Sequence, residues 1–187
     1  MSTYKSIIFI LLTLLSVGSA AGQKYLTKTG YIHFFSDAPL EKIEATNRQV
    51  NAAVDATTGD IVFKVLMKSF QFEKALMQEH FNENYVESDK YPNSTFIGKV
   101  MNIKDVNFSK PGTYNVNIEG KLTIHGITKD VKETGTFEVK DDKKAEARSK
   151  FNIHIGDYKI SIPGIVAGHI AETVEITVEL SLDKLEK

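Results

Sequence analysis

The sequence predicts an all-β, mostly antiparallel domain of about eight strands with one amphipathic helix in mid-chain. Three observations lead there: long runs in which apolar and polar residues alternate, short polar turns between those runs, and a single stretch of helical periodicity.

The clearest run spans Tyr114 to Ile124. Tyr114, Val116, Ile118, Leu122 and Ile124 share one side, and Asn115, Asn117, Glu119, Lys121 and Thr123 the other. A period of two marks a strand with one wet and one dry face, whereas a helical period would scatter those polar groups through the core. The C-terminal run repeats the pattern, with Val174, Ile176, Val178, Leu180 and Leu182 set against Glu175, Thr177, Glu179, Ser181 and Asp183. Ile61, Phe63, Val65 and Met67 share a face of a third strand, which Val62 and Leu66 make apolar on its other side too. Val50, Ala52 and Val54 precede it across Thr57-Thr58-Gly59, a turn of hairpin type. Phe151, Ile153 and Ile155 form another run, divided from the Val131 to Val139 strand by the solvated tip Asp141-Asp142-Lys143-Lys144. Tyr31 to Phe35 and Phe96 to Ile103 complete the set. Strands linked by short turns point to a sandwich or a closed barrel.

From Glu73 to Tyr85 the residues are good helix formers, and Met77, Phe81 and Tyr85 recur at i, i+4 and i+8 on one face. Lys90-Tyr91-Pro92-Asn93 ends the helix, because proline restricts the residue before it and cannot continue the hydrogen bonding. Such a helix can lie across the open end of a barrel.

Composition narrows the function classes. The chain has 187 residues, 42% hydrophobic and 25% charged, with a formal net charge of −1. No basic surplus or basic face suits nucleic acid. The absence of cysteine removes disulfides, thiolate nucleophiles and cysteine-ligated metals together. No Ser-His-Asp spacing, phosphate-binding loop or dinucleotide fingerprint is present, and none of the five histidines lies in a zinc-type arrangement. His80 and Glu83 are three apart on the helix, but an exposed polar helix face explains them better than an ion site. His125 and His154 fall at wet-face strand positions. No catalytic residue, metal ligand or cofactor is assigned, and the chain is expected not to be an enzyme.

The N-terminus reads as a cleavable secretory signal over residues 1–22. Lys5 precedes an apolar run from Ile7 to Leu12 that continues to Val17, followed by Gly18, Ser19, Ala20, Ala21 and Gly22. The run is shorter than the roughly 20 residues a transmembrane helix needs, and its charge and small-residue end fit a signal peptide. The expected product is one domain, residues 23–187, in the periplasm or secreted.

Large and adaptable apolar side chains concentrate in the central third, among them Phe63, Met67, Phe70, Phe72, Leu76, Met77, Phe81, Tyr85, Tyr91 and Phe96. Methionine and phenylalanine suit a cavity that accepts a flexible chain, although a barrel of about eight strands can also fill itself with side chains.

Several segments resemble the YceI-like family of secreted polyisoprenoid-binding proteins. They are Leu76-Met77 to Phe81, then Lys90-Tyr91-Pro92 with Phe96, then Gly120 to Val131 (GKLTIHGITKDV), with Gly126 at a tight turn between two strands. The resemblance extends from Thr29 to Leu182. In place of the family's Arg-x-Asp/Glu-Phe-Gly element the chain carries Asn152-Ile153-His154-Ile155-Gly156-Asp157-Tyr158.

The resemblance implies an antiparallel lipocalin-like barrel, with the helix covering one end, whose apolar tunnel holds an isoprenoid, a fatty-acyl chain or a similar amphiphile. On that reading the tunnel lining draws Phe63, Val65 and Met67 from one strand and Leu76, Met77, Phe81 and Tyr85 from the helix. Phe96, Tyr114, Val116 and Ile118 come from the strands that follow. The expected partner is an apolar lipid, with room for transient membrane contact and for a homodimer. The other reading of the residues is a structural or stress-related β-domain with a filled core.

Export predicts a mature protein whose N-terminal residue is Ala21, Gly22 or Gln23, to be read by intact mass after expression with the leader. A chain retaining Met1 after export contradicts it.

Overall fold

The computed structural model describes residues 23–186, so the expected leader lies outside the described residues. Nine strands are present among these residues: β1 Lys24–Asp37, β2 Lys42–Asp55, β3 Asp60–Leu66, β4 Gln71–Phe72, β5 Asn93–Val100, β6 Gly112–Ile124, β7 Ile127–Val139, β8 Lys144–His154 and β9 Thr173–Lys184. The two-residue β4 only extends the edge of β2. The other eight form a closed antiparallel barrel in which each strand pairs with the next along the chain, and β1 pairs with both β2 and β9.

The turns follow from local chemistry. Between β2 and β3, Asp55 Oδ1 accepts the backbone N–H groups of Thr57 and Thr58 at 2.8 and 3.1 Å. Between β7 and β8, Asp141 Oδ1 does the same for Lys143 and Lys144, both at 2.8 Å. The β6–β7 connection is a two-residue turn, His125-Gly126, with φ of +50° and +72°. Both residues are left-handed, as the tightest hairpin turn requires. A Cβ on residue 126 would lie 2.5 Å from the Tyr91 ring, a second reason for glycine there.

One end of the barrel is solid. The β5–β6 connection, residues 101–111, folds across it and buries Ile103, Val106 and Phe108. Phe108 stacks on Tyr25 at 4.9 Å between ring centroids and meets Phe137 at 5.8 Å. Tyr25, Val54, Val100, Val139 and Leu182 are completely enclosed around this plug.

The opposite end carries the longer connections: residues 38–41, 67–92 and 155–172. The helix predicted over Glu73–Tyr85 is here, as α1 Ala75–His80 widening into a π-helical turn, Phe81–Tyr85. The widening leaves Val86 N–H donating to Phe81 O at 2.9 Å, and the Asn82 side-chain amide donating to Gln78 O at 2.8 Å. Glu87, with φ of +44°, follows the turn, so the chain leaves the helix before Pro92 is reached.

The barrel wall is uneven on one side. β6 and β7 pair without interruption from Gly112↔Val139 to Ile124↔Ile127. β7 and β8 pair only from Gly135↔Ser149 to Val139↔Ala145, so the mouth half of β7 parts from β8. A short 3-10 segment, Ile155–Tyr158, lies against β7 and β8 near this seam.

The plug predicts that Phe108→Ala lowers unfolding free energy by about 3–5 kcal/mol, the usual cost of deleting a buried phenyl ring. A urea midpoint indistinguishable from the parent protein contradicts that role.

Candidate functional site

Inside the barrel, above the plug, lies an apolar cavity of about 460 Å³. Its walls come from alternate residues of the barrel strands, as a closed sheet requires. Phe63, Val65 and Met67 line it from β3 and its extension, Phe96 from β5, Val116 and Ile118 from β6, and Met77, Phe81 and Tyr85 from the helix.

One arrangement in the wall keeps this space open. Gly98 and Gly120 face each other across β5 and β6. The Phe96 ring occupies the room that their side chains would take, lying 2.4 and 2.7 Å from where each Cβ would be. The ring is thereby laid along the wall, edge-on to Phe63 at 6.0 Å, instead of projecting across the lumen.

The helix is fastened over the mouth by aromatic packing. Phe81 sits among Phe34, Phe70 and Phe72, with centroid separations of 5.6, 5.5 and 5.0 Å. A six-residue α-helix has little stability of its own, so this cluster is what seats it. Around the rim, Glu41 accepts a hydrogen bond from Lys74 at 3.1 Å and lies 3.4 Å from His169. It thus joins the β1–β2 loop to the helix approach and to the β8–β9 connection. The Lys74 hydrogen bond holds the Glu41 carboxyl below its usual range.

Two residues expected in the lining are elsewhere. Leu76 is 60% exposed, because it sits one position, about 100° of helix rotation, away from Met77 and points outward. Tyr114 lies toward the plugged end, opposite Phe137, where its hydroxyl donates to Lys110 O at 2.9 Å. Lining residues that the expectation omitted include Phe34, Ile43, Ile176 and Val178. For Phe34, Ile176 and Val178 the same period-two alternation carries the signal.

His125 is also corrected. It belongs to the turn, not to a wet strand face, and its side chain is only 12% exposed. Nε2 lies 2.6 Å from Glu87 Oε2, Nδ1 lies 3.0 Å from Tyr158 O, and the Tyr91 ring stands edge-on at 4.7 Å. This contact ties the helix exit, the β6–β7 turn and the Ile155–Tyr158 segment together. The three non-glycine residues with positive φ among the described residues, Glu87, His125 and Lys159, all fall at or beside it.

One carboxylate points inward. Glu133 is paired with Ile118 across β6 and β7, and residues paired in an antiparallel ladder share a face. It lines the cavity and has no hydrogen-bond or ion-pair partner among the described residues. Burial pushes its carboxyl above the usual range. Tyr158, in the 3-10 segment that lies against β7 and β8, is raised as well, first by burial and then by the charges of Asp157 and Glu133.

A closed antiparallel barrel with an apolar lumen, plugged at one end and lidded at the other, is a lipocalin-like barrel. The sequence profile of the YceI-like domain matches residues 27–182, and the chain belongs to that family. A polyisoprenoid-binding domain from Saccharophagus degradans, implicated in plant cell wall breakdown, has a similar structure. Its TM-score is 0.76 at 12% identity, covering 88% of this chain and 99% of that one. BcnA of Burkholderia cenocepacia is similar with a TM-score of 0.67 at 17% identity, over 81% and 95% of the two chains. A Campylobacter jejuni YceI protein follows at 0.57 and 19% identity, over 75% and 84%. At these identities the likeness establishes the fold. No curated protein is significantly similar in sequence.

The position of Glu133 gives a pH-dependent expectation. A carboxyl that binds its proton more tightly in the folded chain loses stability as pH rises through and above the usual carboxylate range, and the cost is absent below that range. Glu133→Gln should therefore melt higher than the parent at about pH 7, with the gap closing by about pH 4. A difference independent of pH in thermal melts contradicts the burial of this group.

Proposed function

We propose that the protein is an exported carrier that sequesters an isoprenoid or similar long-chain amphiphile in its lumen, in the periplasm or outside the cell, and performs no covalent chemistry. The observation that carries this reading is the cavity itself. It is apolar, left unfilled by side chains, plugged at one end and closed at the other by a separately seated helix. The relative from Saccharophagus degradans, described as polyisoprenoid-binding, points to the same class of ligand. A structural β-domain with a filled core leaves this lumen without a use.

The rim supports exchange with a membrane. Leu40, Leu76 and Ile165 are 70%, 60% and 92% exposed. Each is the chain neighbour of a lining residue, respectively Glu41, Met77 and Val166. Three apolar tips around one mouth suit shallow, transient insertion between lipid head groups.

Energetics favour a carrier over a sink. Burying about 500 Å² of lipid surface is worth roughly 12 kcal/mol against water, and association costs remove about 4–15 kcal/mol of that. A lipid in a bilayer is already out of water, so transfer between bilayer and lumen is nearly balanced.

Solvent extraction of the protein purified from its exported location should yield a long-chain amphiphile in near-stoichiometric amount. Ile118→Trp, which adds bulk inside the lumen, should reduce that yield by about tenfold or more, which is at least 1.4 kcal/mol of lost affinity. A lipid-free parent, or a folded variant with undiminished lipid, contradicts carriage.

A further inference from the structure

We propose that Glu133 reads the head group of the bound amphiphile, selecting one that donates a hydrogen bond and rejecting one that carries negative charge. The inference rests on the carrier reading and names the ligand chemistry within it.

Register places this side chain. β6 and β7 are paired without a break, and the inward Ile118 has Glu133 as its partner. Along the same face of β7 come Ile127, Lys129, Val131, Gly135 and Phe137; Lys129 is exposed near the turn, so Glu133 is the charged residue set deeper in the wall, between Val131 and Gly135. Its location within the wall is also distinctive. The β7–β8 ladder begins at Gly135↔Ser149 and runs toward the plug, so Glu133 lies just where the two strands part. A head group at Glu133 leaves its chain to follow the apolar lumen between Phe63, Phe96 and Ile118.

The other charged lining residues are already engaged. Glu41 is held by Lys74 and His169 at the rim. The Arg148 guanidinium is paired with Glu138 and Glu146. Lys132, next to Glu133 in sequence, points to the other face of β7 and binds Glu119 at 3.0 Å. Glu133 alone among the lining carboxylates has no partner among the described residues. A half-buried carboxylate without one costs stability, and the fold gains nothing visible from it. That is the expected signature of a group kept for what binds to it.

The chemistry then limits the ligand. A carboxylate offers only acceptor oxygens, so it rewards a hydroxyl or amine on the incoming chain. A phosphate or carboxylate head would be placed against a like charge where water screens poorly, which disfavours binding.

The test uses the delipidated mature protein and three probes: geranylgeraniol, geranylgeranyl monophosphate and the hydrocarbon squalene, each titrated against a displaceable fluorescent dye. The parent should favour the alcohol over the monophosphate by roughly ten- to a hundredfold, the range for a hydrogen bond to a charged group. Glu133→Leu should remove most of the alcohol's advantage over the hydrocarbon. Glu133→Gln, close in shape and uncharged, should narrow the gap between the alcohol and the monophosphate. Melting curves establish that both variants fold. Equal affinity of the parent for alcohol and monophosphate, or ratios unmoved by either substitution, overturns the role of Glu133 while leaving carriage intact. If none of the three probes binds the parent, carriage fails, and the head-group assignment falls with it.

Discussion

β1 holds the architecture together by pairing with both β2 and β9. That double pairing closes the sheet, with the mouth half of the β7–β8 seam left unpaired, and turns the inner faces of the eight strands toward one shared space. Once the sheet is closed, the fate of the interior depends on side-chain volume and on what covers each end. At one end the β5–β6 connection supplies Ile103, Val106 and Phe108, and the space is filled. Above it the opposed Gly98 and Gly120, with Phe96 laid over them, hold the lumen open. The hollow is thus a consequence of specific small residues in the wall.

The mouth is built differently from the plug. Its cover is a short helix, seated by Phe81 on three other phenylalanine rings, with Glu41 and His125 fastening the surrounding loops. Aromatic contacts of this kind are strong collectively but can be broken without disturbing the strand ladders. Segments with few ladder hydrogen bonds are where local opening costs least. One end is thus filled and the other only fastened, and the exposed Leu40, Leu76 and Ile165 stand around the fastened end.

Much of this was legible in the sequence because strand alternation is a local signal. Each of the eight runs coincides with a barrel strand, although Met67, Ile103 and Ile155 at their ends lie beyond the strands, and Gly126 sits in the tight turn expected of it. The helix is legible from Met77, Phe81 and Tyr85, but not its π-helical widening, which no residue spacing marks and which the Asn82 amide accompanies by donating to Gln78 O. Leu76 and Tyr114 were misplaced for a related reason. Hydrophobicity says that a residue prefers burial, not which of two apolar environments it meets. Local pattern alone puts His125 on a wet strand face, because its partners Glu87 and Tyr158 are distant in sequence. Glu133 escapes the alternation signal, which marks apolar residues on an inner face; a single carboxylate there looks like noise until the register with Ile118 is known.

The central claim is that the lumen accepts an apolar chain between Phe63, Phe96 and Ile118. Crystals grown with a terminally brominated long-chain alcohol test it most directly, because anomalous scattering locates the label without reference to the protein. A hollow lumen gives one bromine peak within the barrel and continuous ligand density running from it toward the wall at Glu133. Bromine found only on the outer surface, with the inward side chains closed together at the centre, would contradict it.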